Sequence, residues 1–291
     1  MPPVAVPLVI KNCGITVGES LPRYLARPTL DGALQLSRMY RRMGVGFLFL
    51  SGLPERMFAH LSRSARTYVY FLEKADDSDK ATSRAEPLFD GVASGDDAAV
   101  RRIAVASRRT WNPRLEYEDD FLYVEFILET FFRSAEVETS KSIVRRYEAV
   151  LGGAPDRRLD LAKAVLERRQ AGFDGALDAL IAELVELVEM DRDEERLDPE
   201  HASTCALLSP EILAWLRLAE NAGLRSRPSY RLAPDVARLL SRAGAPSEDS
   251  WRTFEKYTEL RPETRRSSSP CRRTVRSASS WSAGAEGALS G

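Results

Sequence analysis

The sequence predicts an all-α protein: helical hairpins packed as a single α-solenoid-like (TPR-like) domain, preceded by a short extended N-terminal arm. Apolar residues recur at helical spacing through most of the chain. Prolines stand at the starts of these periodic segments and glycines at their ends, which is the asymmetry expected of α-helices. Hydrophobic residues make up 44% of the 291 residues, which is enough to form a packed core.

Residues 1–19 form the predicted arm. The stretch Val4–Ile10 is apolar and β-branched, but Pro2, Pro3 and Pro7 interrupt it. Proline in a β-branched run is typical of an edge strand or an extended segment. We therefore expect an extended arm, with the helical domain occupying residues 20–245.

Two antiparallel helices are predicted at the start of this domain. Apolar residues from Leu30 to Leu48 have helical spacing, and Pro54 suits the first turn of a second helix whose apolar stripe ends at Leu72. Shorter helices follow from Pro87 on either side of a Gly95-Asp96 break. A helix–turn–helix pattern with alanines at the contact is typical of stacked repeat hairpins.

The most aromatic segment lies in the middle of the chain. Pro113 disfavours the α conformation for Asn112, which predicts a turn. Glu118, Asp119 and Asp120 then place negative charge at the N-terminus of a helix. Because that helix is apolar around most of its circumference, we expect it to be internal.

Residues 246–291 are predicted to be a C-terminal extension that is largely disordered from about residue 262. The stretch 262–291 is rich in Ser, Arg, Ala and Gly, with five arginines against two glutamates and few residues to bury. We therefore leave it out of the predicted domain.

Charge and cysteine content narrow the classes of function. Arg and Lys total 42 against 43 acidic residues, so no overall field favours nucleic acid or a membrane surface. Arg-Arg pairs, such as 41–42, are interleaved with acids and predict solvated faces. Three scattered cysteines, the absence of a signal-peptide pattern and the absence of an 18-residue apolar run predict a cytoplasmic protein without disulfides.

Carboxylates on the internal helix are the first candidates for chemistry. Glu118, Glu125 and Glu129 share one helical face and could hold a divalent metal. Di-metal bundles also need Glu-x-x-His pairs from partner helices, which this chain lacks. We therefore expect these carboxylates to form a solvated or arginine-paired face. A carboxylate-dependent enzyme is a less favoured hypothesis than the two binding functions described below.

Histidine is scarce, which limits nucleophilic catalysis. His60 is expected at the surface, on the polar side of its helix. His201 and Cys205 are four residues apart and could form a thiolate dyad or half a metal site, but no further ligand lies nearby. Glycine-rich phosphate-binding loops are absent from the sequence. We expect no enzyme activity, no cofactor and no metal.

Three segments carry a resemblance to a known family. They are Ala85–Val100, with its helix, Gly-Asp break and helix; Trp111–Tyr123, which is aromatic and acidic; and Leu208–Leu224, a helix with a Gly-Leu exit. In their order and character these segments resemble immunity family 49, which protects bacteria from their own polymorphic toxins. The resemblance implies an intracellular protein that binds and neutralises a cognate toxin domain, with no catalytic residues.

A partner surface is predicted in the second of these segments. It combines aromatic and acidic side chains, which suit the anchors and the charge of an interface: Trp111, Glu116, Tyr117, Glu118, Asp119, Asp120 and Tyr123. The alternative is that Trp111 and Tyr117 fix the loop to the core. A TPR-like adaptor that binds another protein or peptide is the second functional hypothesis. We expect no membrane and no specific nucleic acid among the partners, and the sequence leaves the oligomeric state open.

Overall fold

The computed structural model describes residues 4–133, 136–238 and 246–253. Within these ranges the chain forms eleven α-helices and no β-strand, which confirms the prediction of an all-α single domain. The helices are α1 (Val6–Ala26), α2 (Leu30–Ser51), α3 (Pro54–Lys74), α4 (Glu86–Ser94), α5 (Asp97–Ala106), α6 (Glu118–Phe131), α7 (Val137–Leu151), α8 (Arg157–Leu166), α9 (Gln170–Asp193), α10 (Pro199–Ala202) and α11 (Pro210–Asn221).

Neighbouring helices in the chain pack pairwise. In the first half, α1 packs on α2, α2 on α3, and α3 on both α4 and α5. In the second half, α6 packs on α7, α7 on α8, and α8 on α9. The late helix α11 returns to pack against α4, so the two halves share a contact between elements far apart in sequence.

Local sequence signals explain most helix starts. Pro54, Pro87 and Pro210 lie in the first turns of α3, α4 and α11, where a missing N–H costs no helical hydrogen bond. Asp96 and Asp156 accept hydrogen bonds from backbone N–H groups in the first turns of α5 and α8. These capping residues set where the short helices begin.

The prediction of an extended N-terminal arm is wrong, because α1 begins at Val6. Pro7 lies in its first turn, where proline is compatible with a helix. The buried residues have helical spacing and face α2: Val9, Ile10, Cys13, Val17 and Leu21. A Cβ atom on Gly46 of α2 would lie 2.9 Å from Ile10 Cγ1, so this glycine permits the close approach of the two helices.

The prediction that His60 is a surface residue is also wrong. His60 lies on α3 and is only 2% exposed, and its ring stacks on Phe47 with 5.3 Å between ring centroids. Helix α3 packs against α2 as well as against α4 and α5, so its more polar side is covered too. By contrast, the internal character of α6 is confirmed, since residues 121–128 are all buried.

Residues 246–253 pack back onto the first three helices. Trp251 is 2% exposed, and its backbone oxygen accepts a hydrogen bond of 2.7 Å from Tyr40 Oη. Arg66 Nη1 donates to the backbone oxygens of Pro246 and Ser247, each at 2.6 Å. The predicted disorder from about residue 262 concerns residues outside the described ranges.

Candidate functional site

The acidic-aromatic segment, residues 111–123, runs from the loop after α5 into the second turn of α6. Its seven predicted site residues fall into three environments. Trp111 and Glu116 hold the loop, Tyr123 lies in the core, and Tyr117, Glu118, Asp119 and Asp120 lie at the N-terminus of α6. Tyr117 is 78% exposed, whereas the three acids are half-buried.

Trp111 and Glu116 stabilise the loop. Trp111 Nε1 donates a hydrogen bond of 3.0 Å to the backbone oxygen of Glu116. The buried Glu116 carboxylate accepts from the backbone N–H groups of Asn112 at 3.1 Å and Ser83 at 2.7 Å. Such carboxylate-to-backbone bonds are among the stronger hydrogen bonds in proteins. Trp111 and Glu116 therefore fix the conformation of the loop that leads to the N-terminus of α6.

Tyr123 connects three helices inside the protein. Its hydroxyl donates to Glu211 Oε1 at 2.7 Å and accepts from Trp215 Nε1 at 2.6 Å, both on α11. The Arg158 guanidinium of α8 lies 4.9 Å from the centre of its ring, within cation–π range. Burial, followed by the Glu211 charge, raises the pKa of Tyr123 well above its ordinary value. The phenol is therefore neutral at physiological pH.

The outward-facing acids differ in how they are paired. Glu118 forms an ion pair with Arg146 at 2.6 Å, and Asp120 lies 3.4 Å from Arg158. Burial raises the pKa of Asp120, with a further contribution from the charge of Asp119. All three acids lie in the first turn of α6, where the helix dipole favours negative charge. The result is an acidic helix end beside an exposed aromatic ring.

The carboxylates of the internal helix are paired with arginine, as expected. Arg133 Nη1 lies 2.9 Å from both carboxylate oxygens of Glu125 and 2.9 Å from Glu129. Burial raises the pKa of Glu125 to about 7, against the opposing effect of Arg133. In the described part of the chain no group of three or more His, Cys, Asp or Glu side chains could hold a metal ion.

An open cavity of about 200 Å³ lies between α2, α4, α9 and α11. Its lining includes Phe89, Leu184 and Val188 on the apolar side and Glu86 and Glu211 on the polar side. Sequence reasoning missed this cavity because its residues come from helices scattered along the chain. The individual segments contain no local motif that marks it.

The Arg-Arg pair at 41–42, expected on a solvated face, is instead largely buried and held in ion pairs. Arg41 Nε lies 2.7 Å from Asp90, which is fully buried, and Arg41 also lines the cavity. Arg42 bonds Asp198 at 2.6 Å and Glu200 at 3.1 Å, which ties α2 to the start of α10. The prediction fails here because residues distant in sequence supply the partners.

His201 and Cys205 also line the cavity. Burial lowers the pKa of His201 and raises the pKa of the Cys205 thiol. Both shifts favour the neutral forms, which opposes a thiolate–imidazolium pair.

The described residues thus form an all-α scaffold with an exposed tyrosine and acidic side chains at the N-terminus of α6. The family model described as immunity protein 49 matches residues 32–237, which is more than half of the chain. The chain therefore belongs to the immunity protein 49 family, and the resemblance noted from the sequence is confirmed.

Membership of this family supports a role as an immunity protein and implies a protein partner, a toxin. Comparison with curated proteins and with solved structures finds no match. Among the helices of the described residues, none is both long and apolar enough to cross a membrane.

Proposed function

We propose that this chain neutralises a cognate bacterial polymorphic toxin by binding its toxin domain. The family match over residues 32–237 is the observation that carries this proposal. An inhibitor of this kind acts through a stable interface on a rigid scaffold, and the packed helices provide such a scaffold.

We place part of the interface at the N-terminus of α6. Tyr117 offers an exposed aromatic ring, and aromatic side chains are enriched among residues that dominate binding energy. Glu118, Asp119 and Asp120 supply negative charge that would speed association with a basic toxin surface. Trp111, Glu116 and Tyr123 contribute by holding the surface in place through their internal hydrogen bonds.

Co-expression with candidate toxin domains from neighbouring genes tests the function. We expect growth to be restored and a complex of the two proteins to co-purify. A toxin that still kills, or two proteins that elute separately, would show that this chain does not protect by contact.

Substitutions at the α6 N-terminus test the interface. Tyr117→Ala is expected to weaken toxin binding about tenfold or more, since it removes an exposed aromatic anchor. Asp119→Lys is expected to slow association at low salt, with a smaller effect at high salt, because exposed charges are screened. Surface plasmon resonance at two salt concentrations measures both effects.

Glu138→Lys is the matched control for Asp119→Lys. Glu138 is a first-turn carboxylate of α7, so its replacement makes a similar change in charge at a helix N-terminus. We expect this variant to associate at the wild-type rate. Equal slowing by both variants would indicate a general charge effect, and unchanged binding of Tyr117→Ala would remove this face from the interface.

A further inference from the structure

The cavity between α2, α4, α9 and α11 is small and has one apolar side. Its volume of about 200 Å³ is below the roughly 300–1,000 Å³ of pockets for drug-sized ligands, so it suits a single side chain. Phe89 of α4 and Leu184 and Val188 of α9 form an apolar wall. Such a wall accommodates a long aliphatic stem.

The polar side of the cavity is acidic. Glu86 is exposed in the first turn of α4, and Glu211 lies in the first turn of α11. The lining residues and their ion-pair partners include three carboxylates, on Glu86, Asp90 and Glu211, and two guanidinium groups, on Arg41 and Arg158. This set has a net charge of −1, the difference between three negative and two positive groups.

Glu211 joins the cavity to the proposed toxin-binding face. Arg158 lies 3.4 Å from Glu211 Oε1 and 3.4 Å from Asp120 Oδ1. Tyr123 also holds Glu211 in position through the hydrogen bond from its hydroxyl. A partner that covers Asp120 therefore lies close to the cavity, and one continuous interface can include both.

We propose that the cavity receives one arginine side chain of the toxin as the central anchor of the complex. The arginine stem packs on Phe89, Leu184 and Val188, and its guanidinium pairs with Glu86 and Glu211. Arginine fits both requirements, since it buries its stem along apolar surface and its planar head matches carboxylates. This inference rests on the proposed function, because the occupant belongs to the toxin.

Two variants test the cavity in complex with the toxin domain. Glu86→Gln removes a carboxylate at an exposed position, and Val188→Phe fills the apolar side. We expect each to weaken binding about tenfold or more, mainly through faster dissociation. The matched controls are Glu183→Gln and Leu187→Phe, at exposed positions of α9 that do not line the cavity, and both should bind within about twofold of wild type.

A double-mutant cycle identifies the occupant. Each surface arginine of the toxin is replaced by alanine and combined with Glu86→Gln, and isothermal titration calorimetry measures the dissociation constants. We expect one arginine to show strong non-additivity with Glu86. Thermal unfolding of the free variants establishes that they are folded, and Glu86→Gln keeps the test valid if Val188→Phe does not fold.

The outcomes separate the two proposals. Tight wild-type binding with no effect of Glu86→Gln and no coupled arginine would overturn the cavity proposal and leave the immunity function standing. Absence of a wild-type complex would overturn the immunity function, and the cavity proposal with it.

Discussion

At the scale of single residues, Arg217 and Gly95 together end α4. Gly95 follows the last turn with a φ of +74°, in the left-handed region that suits glycine. Arg217 Nη1 lies 3.3 Å from the Val92 backbone oxygen and 3.5 Å from that of Ala93. A Cβ atom on Gly95 would lie 2.7 Å from the same guanidinium. The helix end therefore depends on glycine for its conformation and for the space it leaves.

Gly95→Ala is expected to reduce the free energy of unfolding by at least about 1 kcal/mol, because alanine is strained at positive φ and displaces Arg217. Gly175→Ala is the control. Gly175 lies inside α9 with no atom within 4 Å of an added Cβ, so alanine should stabilise by about 0.5–1 kcal/mol. Urea unfolding of both variants measures the difference, and loss of stability at both positions would contradict this account.

The sequence predicts which residues belong to the candidate site, but not which of them are buried or what they bond. Glu116 has the appearance of a surface acid in sequence, yet its carboxylate accepts a hydrogen bond from the backbone of Ser83 in a different loop. Likewise, Tyr123 is separated from Glu211 by 88 residues. Burial of this kind depends on tertiary partners, which local spacing does not reveal. Tyr117 and the acids beside it remained outward-facing because they lie at a helix start.

At the scale of elements, Arg133 fastens the C-terminal end of α6 to that of α5. Its Nε donates to the Ala104 backbone oxygen at 2.6 Å, and Nη1 pairs with Glu125 and Glu129. Arg133 has a side-chain exposure of only 3% and pairs with the buried Glu125 and the partly buried Glu129, and Glu129 also lies 3.9 Å from the exposed Arg109. Burial away from water, with a smaller contribution from the charge of Glu129, makes the ionised form of Glu125 costly and raises its pKa.

This cluster predicts a pH dependence of stability. The pKa of Glu125 is about 7 in the folded chain, above the value of roughly 4.3 for an exposed glutamate. The folded state therefore binds the Glu125 proton more tightly than the unfolded state does. The stability gained from this protonation is fully present below about pH 4 and is lost as the pH rises through 7. Between pH 5 and 8 this group lowers the free energy of unfolding by about 2–3 kcal/mol.

Glu125→Gln is expected to remove that part of the pH dependence. The variant should gain stability relative to wild type as the pH rises from 5 to 8, measured by urea unfolding at each pH. Glu148→Gln, which replaces an exposed carboxylate of α7, should follow the wild-type curve. If the stability of Glu125→Gln also follows the wild-type pH curve, the charge of Glu125 does not oppose folding.

Helix boundaries marked by proline were the most predictable elements. Pro54 and Pro87 lie in first turns, as their positions before apolar stripes suggested. At the N-terminus the same residue type supports a wrong prediction: Pro7 indicates an extended arm in the sequence, but it lies in the first turn of α1. Proline is compatible with a helix start and with an extended segment, and the buried face of α1 against α2 decides between them.

At the scale of the whole molecule, a short segment near the end of the described chain covers the first helices. The ring of Trp251 lies 5.2 Å from that of Tyr70 and 6.2 Å from that of Tyr24, measured between centroids. The family match ends at residue 237, so this aromatic contact lies beyond the matched region. Trp251 therefore extends the core of α1, α2 and α3, although it lies outside the region that matches the family.

Trp251→Ala is expected to lower the free energy of unfolding by about 3–5 kcal/mol, since it empties a buried aromatic site. Leu207→Ala, at a position that is 51% exposed, should change stability by no more than about 0.5 kcal/mol. Thermal and urea unfolding compare the two. A small effect at Trp251 would show that the segment rests on the helices without stabilising them.

The hydrogen bond between Tyr40 and Trp251 spans 211 residues of sequence. During synthesis, α1, α2 and α3 leave the ribosome long before the segment that covers their aromatic side chains. Contacts of such long range form late, because a large loop must close first. For most of its translation the nascent chain therefore lacks the contacts of Trp251 with Tyr24, Tyr40 and Tyr70, and incompletely covered apolar surface of this kind favours chaperone binding and aggregation.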